Sequence, residues 1–330
     1  MNESSVRPDE VKREPTVRST PNGSVSGPAP NEPAIGSVQC GSASGPTKRE
    51  PTVRPQKIRR NNVRARLIIF GTLAVLLLLC SVFSAYLAPC DPYLQDLGNA
   101  KAAPSAAHLL GTDRYGRDML SRVIVGSRTS ISSTLLLVAV ITVIGTAIGV
   151  FCGWHGKWID TVLMRISDLF LAFPGLVFAL AVAGVLGGGL QNAIIALAAI
   201  SWPKYARIAR SQTLAQKEMP YMKAAVLSGS GTGKLLVKHI LPNIIGPILV
   251  TSMLDIGTMM MELAGLSFLG LGAKPPIAEW GSMMSDTRSL LTTAPWVTLA
   301  PGFAIFISVM IFNLLGDTIR DYADPKAGGR

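Results

Sequence analysis

The stretch Lys57-Ile58-Arg59-Arg60-Asn61-Asn62-Val63-Arg64-Ala65-Arg66 runs directly into LIIFGTLAVLLLLCSVFSAYLAP, residues 67–89. Five cations in ten residues give way to 23 residues without a charge. An α-helix rises about 1.5 Å per residue, so roughly 20 apolar residues cross the ~30 Å hydrocarbon core of a bilayer. Residues 67–89 are enough. The stretch is too long and begins too late for a signal peptide. Leu87-Ala88-Pro89-Cys90 has the outline of a lipoprotein cleavage site, but proline beside the scissile bond argues against processing. The segment reads as an uncleaved anchor whose basic flank stays in the cytoplasm.

Composition extends this reading to the whole chain. Of 330 residues 48% are apolar and only 15% charged, whereas a soluble fold carries about 25% charged residues. Too little charge remains to coat a water-facing surface. Residues 1–66 are the exception: they hold 12 of the 31 Lys/Arg, nine Pro, five Gly, eight Ser and no aromatic. Such a segment has too little apolar surface to offset the entropy of ordering and reads as a disordered basic tail. Within it Lys12-Arg13-Glu14-Pro15-Thr16-Val17-Arg18 recurs word for word at 48–54, either as a bland duplication or as a docking or phosphorylation site at Thr16 and Thr52.

Further charge-poor stretches follow at 129–153, 169–203, 244–273 and 296–316. As one helix, residues 169–203 would be about 52 Å long. Gly187-Gly188-Gly189 supplies a turn in its middle, so two spans are expected there, six in all. The segments that six spans place beside the tail (1–66, 154–168, 204–242 and 317–330) hold 24 of the 31 Lys/Arg. Both termini are therefore expected in the cytoplasm.

Local chemistry is sparse. Cys40, Cys80, Cys90 and Cys152 form no C-x-x-C, and His108, His155 and His239 are scattered, so neither a disulfide scaffold nor a zinc domain is expected. Ser228-Gly229-Ser230-Gly231-Thr232-Gly233-Lys234-Leu235 imitates a phosphate-binding loop. However, Ser228 stands where that loop needs Gly and Leu235 where it needs Ser/Thr. No local Ser/His/Asp or Cys/His set is present, so no catalytic residue, metal site or nucleic-acid partner is expected.

The cytoplasmic loop 204–242 is more informative. Lys223-Ala224-Ala225, then Gly229, then His239-Ile240-Leu241-Pro242 implies a short small-faced helix, a sharp turn and a proline stop before the next span. That layout resembles the EAA signature of ABC importer permeases, in which the loop is the helix that contacts the ATPase. Lys223 stands where that signature usually has Glu. Leu110-Gly111-Thr112-Asp113-Arg114-Tyr115-Gly116-Arg117-Asp118 resembles the external segment of the dipeptide/oligopeptide/nickel subfamily. Ser267-Phe268-Leu269-Gly270-Leu271-Gly272-Ala273 with Glu279-Trp280-Gly281, and Asn313-Leu314-Leu315-Gly316-Asp317 with Asp324-Pro325, resemble its fifth-span exit and C-terminal end.

The resemblance, from about residue 67 to 326, is to the second permease of such importers. It implies an all-α polytopic membrane protein in the bacterial cytoplasmic membrane, with first helix and external segment 67–128 and transmembrane domain 129–326; the tail 1–66 lies outside the resemblance. It also implies a homologous permease, two cytoplasmic ATPases holding ATP and Mg, and an extracytoplasmic binding protein, with no cofactor in this subunit. The cargo is a di- or oligopeptide, or nickel. A secondary transporter or membrane scaffold is the alternative.

Asp255 and Glu262 share a helix face seven residues apart. Intramembrane carboxylates are costly and face a cavity or a partner, so with Met259 they are candidate pore-lining residues, or else form a structural pair with an arginine, of this chain or of the partner subunit. Met259 and its methionine neighbours suit apolar packing better than soft-metal binding. Gly145, Gly149 and Gly153, every fourth residue, permit close helix contact. Arg114, Arg117, Arg122 and Arg128 lie against the positive-inside trend. They either pair with Asp113 and Asp118 in a folded external segment or dock the binding protein.

Overall fold

The computed structural model describes residues 60–323. The tail's repeated heptapeptide and the Asp324-Pro325 match lie outside the described residues. Within them the chain is helical, with one isolated β-bridge between Thr112 and Asp118. The helices are α1 (Arg60–Val82), α2 (Ser84–Leu87), α3 (Met119–His155), α4 (Lys157–Ala172), α5 (Gly175–Val185), α6 (Leu190–Lys217), α7 (Pro220–Leu227), α8 (Thr232–Leu235), α9 (Leu241–Leu266), α10 (Trp280–Thr287) and α11 (Pro295–Ala323).

Four helical runs are long and apolar enough to cross a membrane: Val63–Val82, Met119–His155, Thr232–Leu271 and Pro295–Ala323. The bent pair α4–α5 would make a fifth. The expected sixth, α6, has the length at 28 residues, but its second half carries Lys204, Arg207, Arg210 and Lys217, so apolarity alone does not qualify it. The crossing expected to begin near 169 is not one straight helix. α4 and α5 meet at 93°, because Phe173 precedes Pro174 and is forced out of the helical region (ψ 145°). α5 alone, at 11 residues, is about 16 Å long and too short to span.

The hairpin between α5 and α6 falls on Gly187, Gly188 and Gly189, all with positive φ. Asn192 donates to the carbonyls of Leu186 (2.8 Å) and Gly188 (2.7 Å) and closes it.

Packing centres on α3 against α6. Ile131, Leu137 and Ile141 of α3, and Ala193, Ala196 and Leu197 of α6, are fully or almost fully buried. The glycine spacing on α3 performs the expected close approach. A Cβ on Gly149 would collide with the Ala206 carbonyl, and one on Gly145 would sit 2.5 Å from the Tyr205 Cβ. Conversely Ile68, Ile69, Val75 and Leu76 on α1, and Phe303, Phe306 and Ile307 on α11, are exposed. Apolar surface of this extent suits lipid or a partner subunit rather than water.

Candidate functional site

The segment between α6 and α9 is mostly helix, not the loop expected over 204–242. α6 continues to Lys217, and a helical run resumes at Thr232 and continues to Leu271. Pro242 does not end a segment; it stands in the first turn of α9. Having no N–H, proline cannot donate to a carbonyl one turn back. The chain takes this up in a π-turn over Leu236–Ile240 immediately before it. His239 and Leu241 accordingly lie within helix.

Only α7 hangs free between the two stems. Its first position is Pro220, which suits a helix start, and Met222 is its one buried side chain. Lys223 and Ala224 are exposed, as are Tyr221, Val226 and Leu227, the last at 88%. Lys223 Nζ reaches Glu218 Oε2 at 3.3 Å, both exposed, a contact worth at most ~1 kcal/mol. Gly229 ends α7 with φ +78°, and its N–H donates to the Val226 carbonyl (3.0 Å) while Ser230 N–H donates to that of Ala225 (3.2 Å). A left-handed turn of this kind favours glycine.

Tyr221, which sequence reasoning missed, braces the helix. Its hydroxyl donates to Gln216 Oε1 (2.5 Å) and accepts from Asn243 Nδ2 (3.2 Å), and its ring lies 6.4 Å from that of His239. The approach is held too: Arg210 makes a bidentate pair with Asp160 of α4, and Lys217 Nζ donates to the Trp154 carbonyl (2.8 Å).

The candidate pore-lining residues do not share one environment. Asp255 is buried, and two consecutive residues of α6 occupy its carboxylate. Lys204 Nζ meets Oδ1 at 2.5 Å, and the Tyr205 hydroxyl donates to Oδ2 at 2.9 Å. A structural pair is therefore what Asp255 makes, but with a lysine of this chain rather than the expected arginine. Met259 is buried in the core with Met260. Glu262 is half-buried and makes no ion pair among the described residues.

The segment before α3, expected to be external, is folded and internally paired. Asp113 is buried, accepts from the backbone N–H groups of Tyr115 (2.8 Å) and Arg117 (3.0 Å), and pairs with Arg117 Nε at 2.6 Å. Arg122 Nε stands 3.9 Å from the same carboxylate and its Nη1 donates to the Pro92 carbonyl at 3.1 Å. Asp118 has no arginine. It caps α3 through Ser121 N–H (2.8 Å) and contacts His108 Nδ1 at 3.0 Å. Arg114 lies 3.6 Å from Asp286. Glu279, quoted above only as part of a motif, is a buried N-cap of α10 that accepts from Gly281 (2.9 Å) and Ser282 (2.8 Å) N–H.

Residues 145–329 match the family of binding-protein-dependent transport system inner membrane components. The chain belongs to this family. It is 42% identical over 287 residues to the probable D,D-dipeptide transport system permease protein of Escherichia coli, covering 84% of this chain and 96% of that one. It is 41% identical over 266 residues to the nickel transport system permease protein of the same organism (81% and 95%). To the dipeptide transport system permease protein of Alkalihalophilus pseudofirmus it is 40% identical over 249 residues (76% and 82%). An inward-facing methionine ABC transporter shares the fold at 19% identity and a TM-score of 0.50, over 62% of this chain and 98% of that one.

This permease is thus a membrane-embedded transport component rather than an enzyme, and ATPase and binding-protein partners follow from its family. The matched residues include α6, α7, α9 and α11. The external segment precedes them. No sequence signal linked Lys204 to Asp255, 51 residues on.

Proposed function

We propose that this permease pairs with a homologous permease in the bacterial cytoplasmic membrane, both termini in the cytoplasm, to form the path for di- or oligopeptides, or for nickel as ion or chelate. Two cytoplasmic ATPases hold the ATP and Mg, and an extracytoplasmic binding protein delivers the cargo. α7 is the contact through which nucleotide-driven motion reaches the spans, a two-state element biased from a distant site.

The observation that carries this reading is α7 itself. It is an eight-residue helix with exposed apolar side chains, hung between two long helices and closed by a glycine turn. A recess of about 490 Å³ lies beside it, lined by Trp154, Met222, Val226 and Leu227 among others. Exposed apolar surface next to a recess suits a protein partner. The matching segment Lys223, Ala224, Ala225, Gly229, His239, Leu241 and Pro242 spans α7 and the start of α9. Peptide is the first reading of cargo. Asp255 is taken up by Lys204 and Met259 is packed away, which leaves Glu262 as the candidate pore-lining group without an ion pair among the described residues. The nickel-transporting relative keeps nickel as the second.

The test is uptake of radiolabelled dipeptide and radiolabelled nickel by a deletion strain, with and without ATP depletion. ATP-dependent loss of dipeptide uptake alone supports the first reading, and loss of nickel uptake alone the second. ATP-independent uptake by the purified chain alone would overturn both.

A further inference from the structure

The stems that carry α7 are fastened to each other inside the membrane domain. Lys204 lies 14 residues, about 21 Å, from the hairpin end of α6, and Asp255 lies as far from the start of α9. Lys204 and Tyr205 converge on the two oxygens of Asp255, one on each. Adjacent residues of a helix point about 100° apart, so two grips on one carboxylate fix both the rotation and the axial register of α6 against α9.

The knot extends to a third helix. Ser252, one turn before Asp255, meets Thr142 of α3 at 3.0 Å between hydroxyl oxygens, and Gly145 of α3 leaves the room that the fully buried Tyr205 fills. The exposures are unequal: the Asp255 side chain is 6% exposed and that of Lys204 51%. The Tyr205 hydroxyl satisfies the second oxygen of the buried carboxylate, and because it comes from the residue next to Lys204 it also ties that satisfaction to the rotation of α6.

We infer that Lys204, Tyr205 and Asp255 form a clamp that makes α6 and α9 move as one body, so that displacement of α7 is passed to the spans rather than lost as slippage between its stems. This rests on the coupling role proposed for α7. These are positioning residues: none need touch the cargo.

The test uses the complete importer in proteoliposomes, with ATP hydrolysis and import measured together. The cargo is radiolabelled dipeptide or nickel, whichever the deletion strain fails to take up. Lys204→Met with Asp255→Asn removes both charges of the pair at once, so that neither partner is left as a lone ion. The clamp predicts normal assembly and sustained ATP hydrolysis, with ATP spent per cargo imported rising about tenfold, within the range of typical allosteric couplings. Lys204→Arg should keep the ratio near wild type. Tyr205→Phe, which leaves every charge in place and is the safer variant for folding, should raise it by about threefold.

Wild-type ratios in both the double variant and Tyr205→Phe would overturn the clamp. So would a raised KM with an unchanged ratio, which would mean that Asp255 contacts cargo. Failure of the coupling reading looks different: Ala225→Arg would then import normally whatever the clamp variants do.

Discussion

Two segments of the permease, the one before α3 and the one between α6 and α9, treat their polar and apolar groups in opposite ways. In the first, the buried carboxylates Asp113 and Asp118 are each bonded to backbone N–H groups, and Asp113 also holds Arg117; far along the chain Glu279 caps α10 in the same way. Little is left over. In the segment between α6 and α9, Val226 and Leu227 stand exposed, and the one salt bridge made by α7, Lys223 with Glu218, is open to solvent. The first region spends its interactions on its own shape. The second withholds them, which is the condition of a surface kept for another protein.

The contrast predicts which substitutions unfold the permease and which silence it. Asp113→Ala should have the largest structural effect, since it leaves Arg117 and Arg122 buried without their carboxylate, a loss of about 3–5 kcal/mol. The amount of permease in the membrane fraction should fall sharply, with a lower melting temperature in detergent. A protein as abundant and stable as wild type would break the comparison. Asp118→Ala removes the cap of α3 and should cost about 1 kcal/mol, visible as a small drop in melting temperature with transport retained. Lys223→Ala should be smaller still. Its exposed pair contributes at most ~1 kcal/mol, so level and melting temperature should be unchanged and uptake should stay within about twofold of wild type. A large loss of uptake would mean that Lys223 contacts the ATPase directly, sharpening the account of α7.

How much of this was legible depended on whether the signal was local. Apolar runs marked four of the six expected crossings, three adjacent glycines marked the hairpin, and glycines every fourth residue marked the face of α3 that meets α6. The bend at Phe173-Pro174 was hidden because both sides of it are apolar and uncharged, so charge counting runs across it. Pro242 reads as a stop and proved to be a beginning, because a π-turn before it absorbs the missing donor. Of the two readings of the arginines before and within α3, pairing describes Arg117 and Arg122 on Asp113, while Asp118 went to His108 and a helix end. The Asp255 partner was invisible: nothing in the neighbourhood of residue 255 points to residue 204, and only the packing of α6 on α9 brings them together.

The most direct test of the central claim places Ala225→Arg and Gly229→Asp beside Asp113→Ala and measures membrane level and ATP-dependent uptake in the same cells. Ala225→Arg puts a long cation on α7, and Gly229→Asp puts a carboxylate onto a φ of +78°, a region that aspartate tolerates better than most residues, where no neighbouring atom stands within 4 Å. The account predicts both proteins at near wild-type level in the membrane with uptake abolished, against loss of the protein itself for Asp113→Ala. Unimpaired uptake by both α7 variants at normal levels would contradict it.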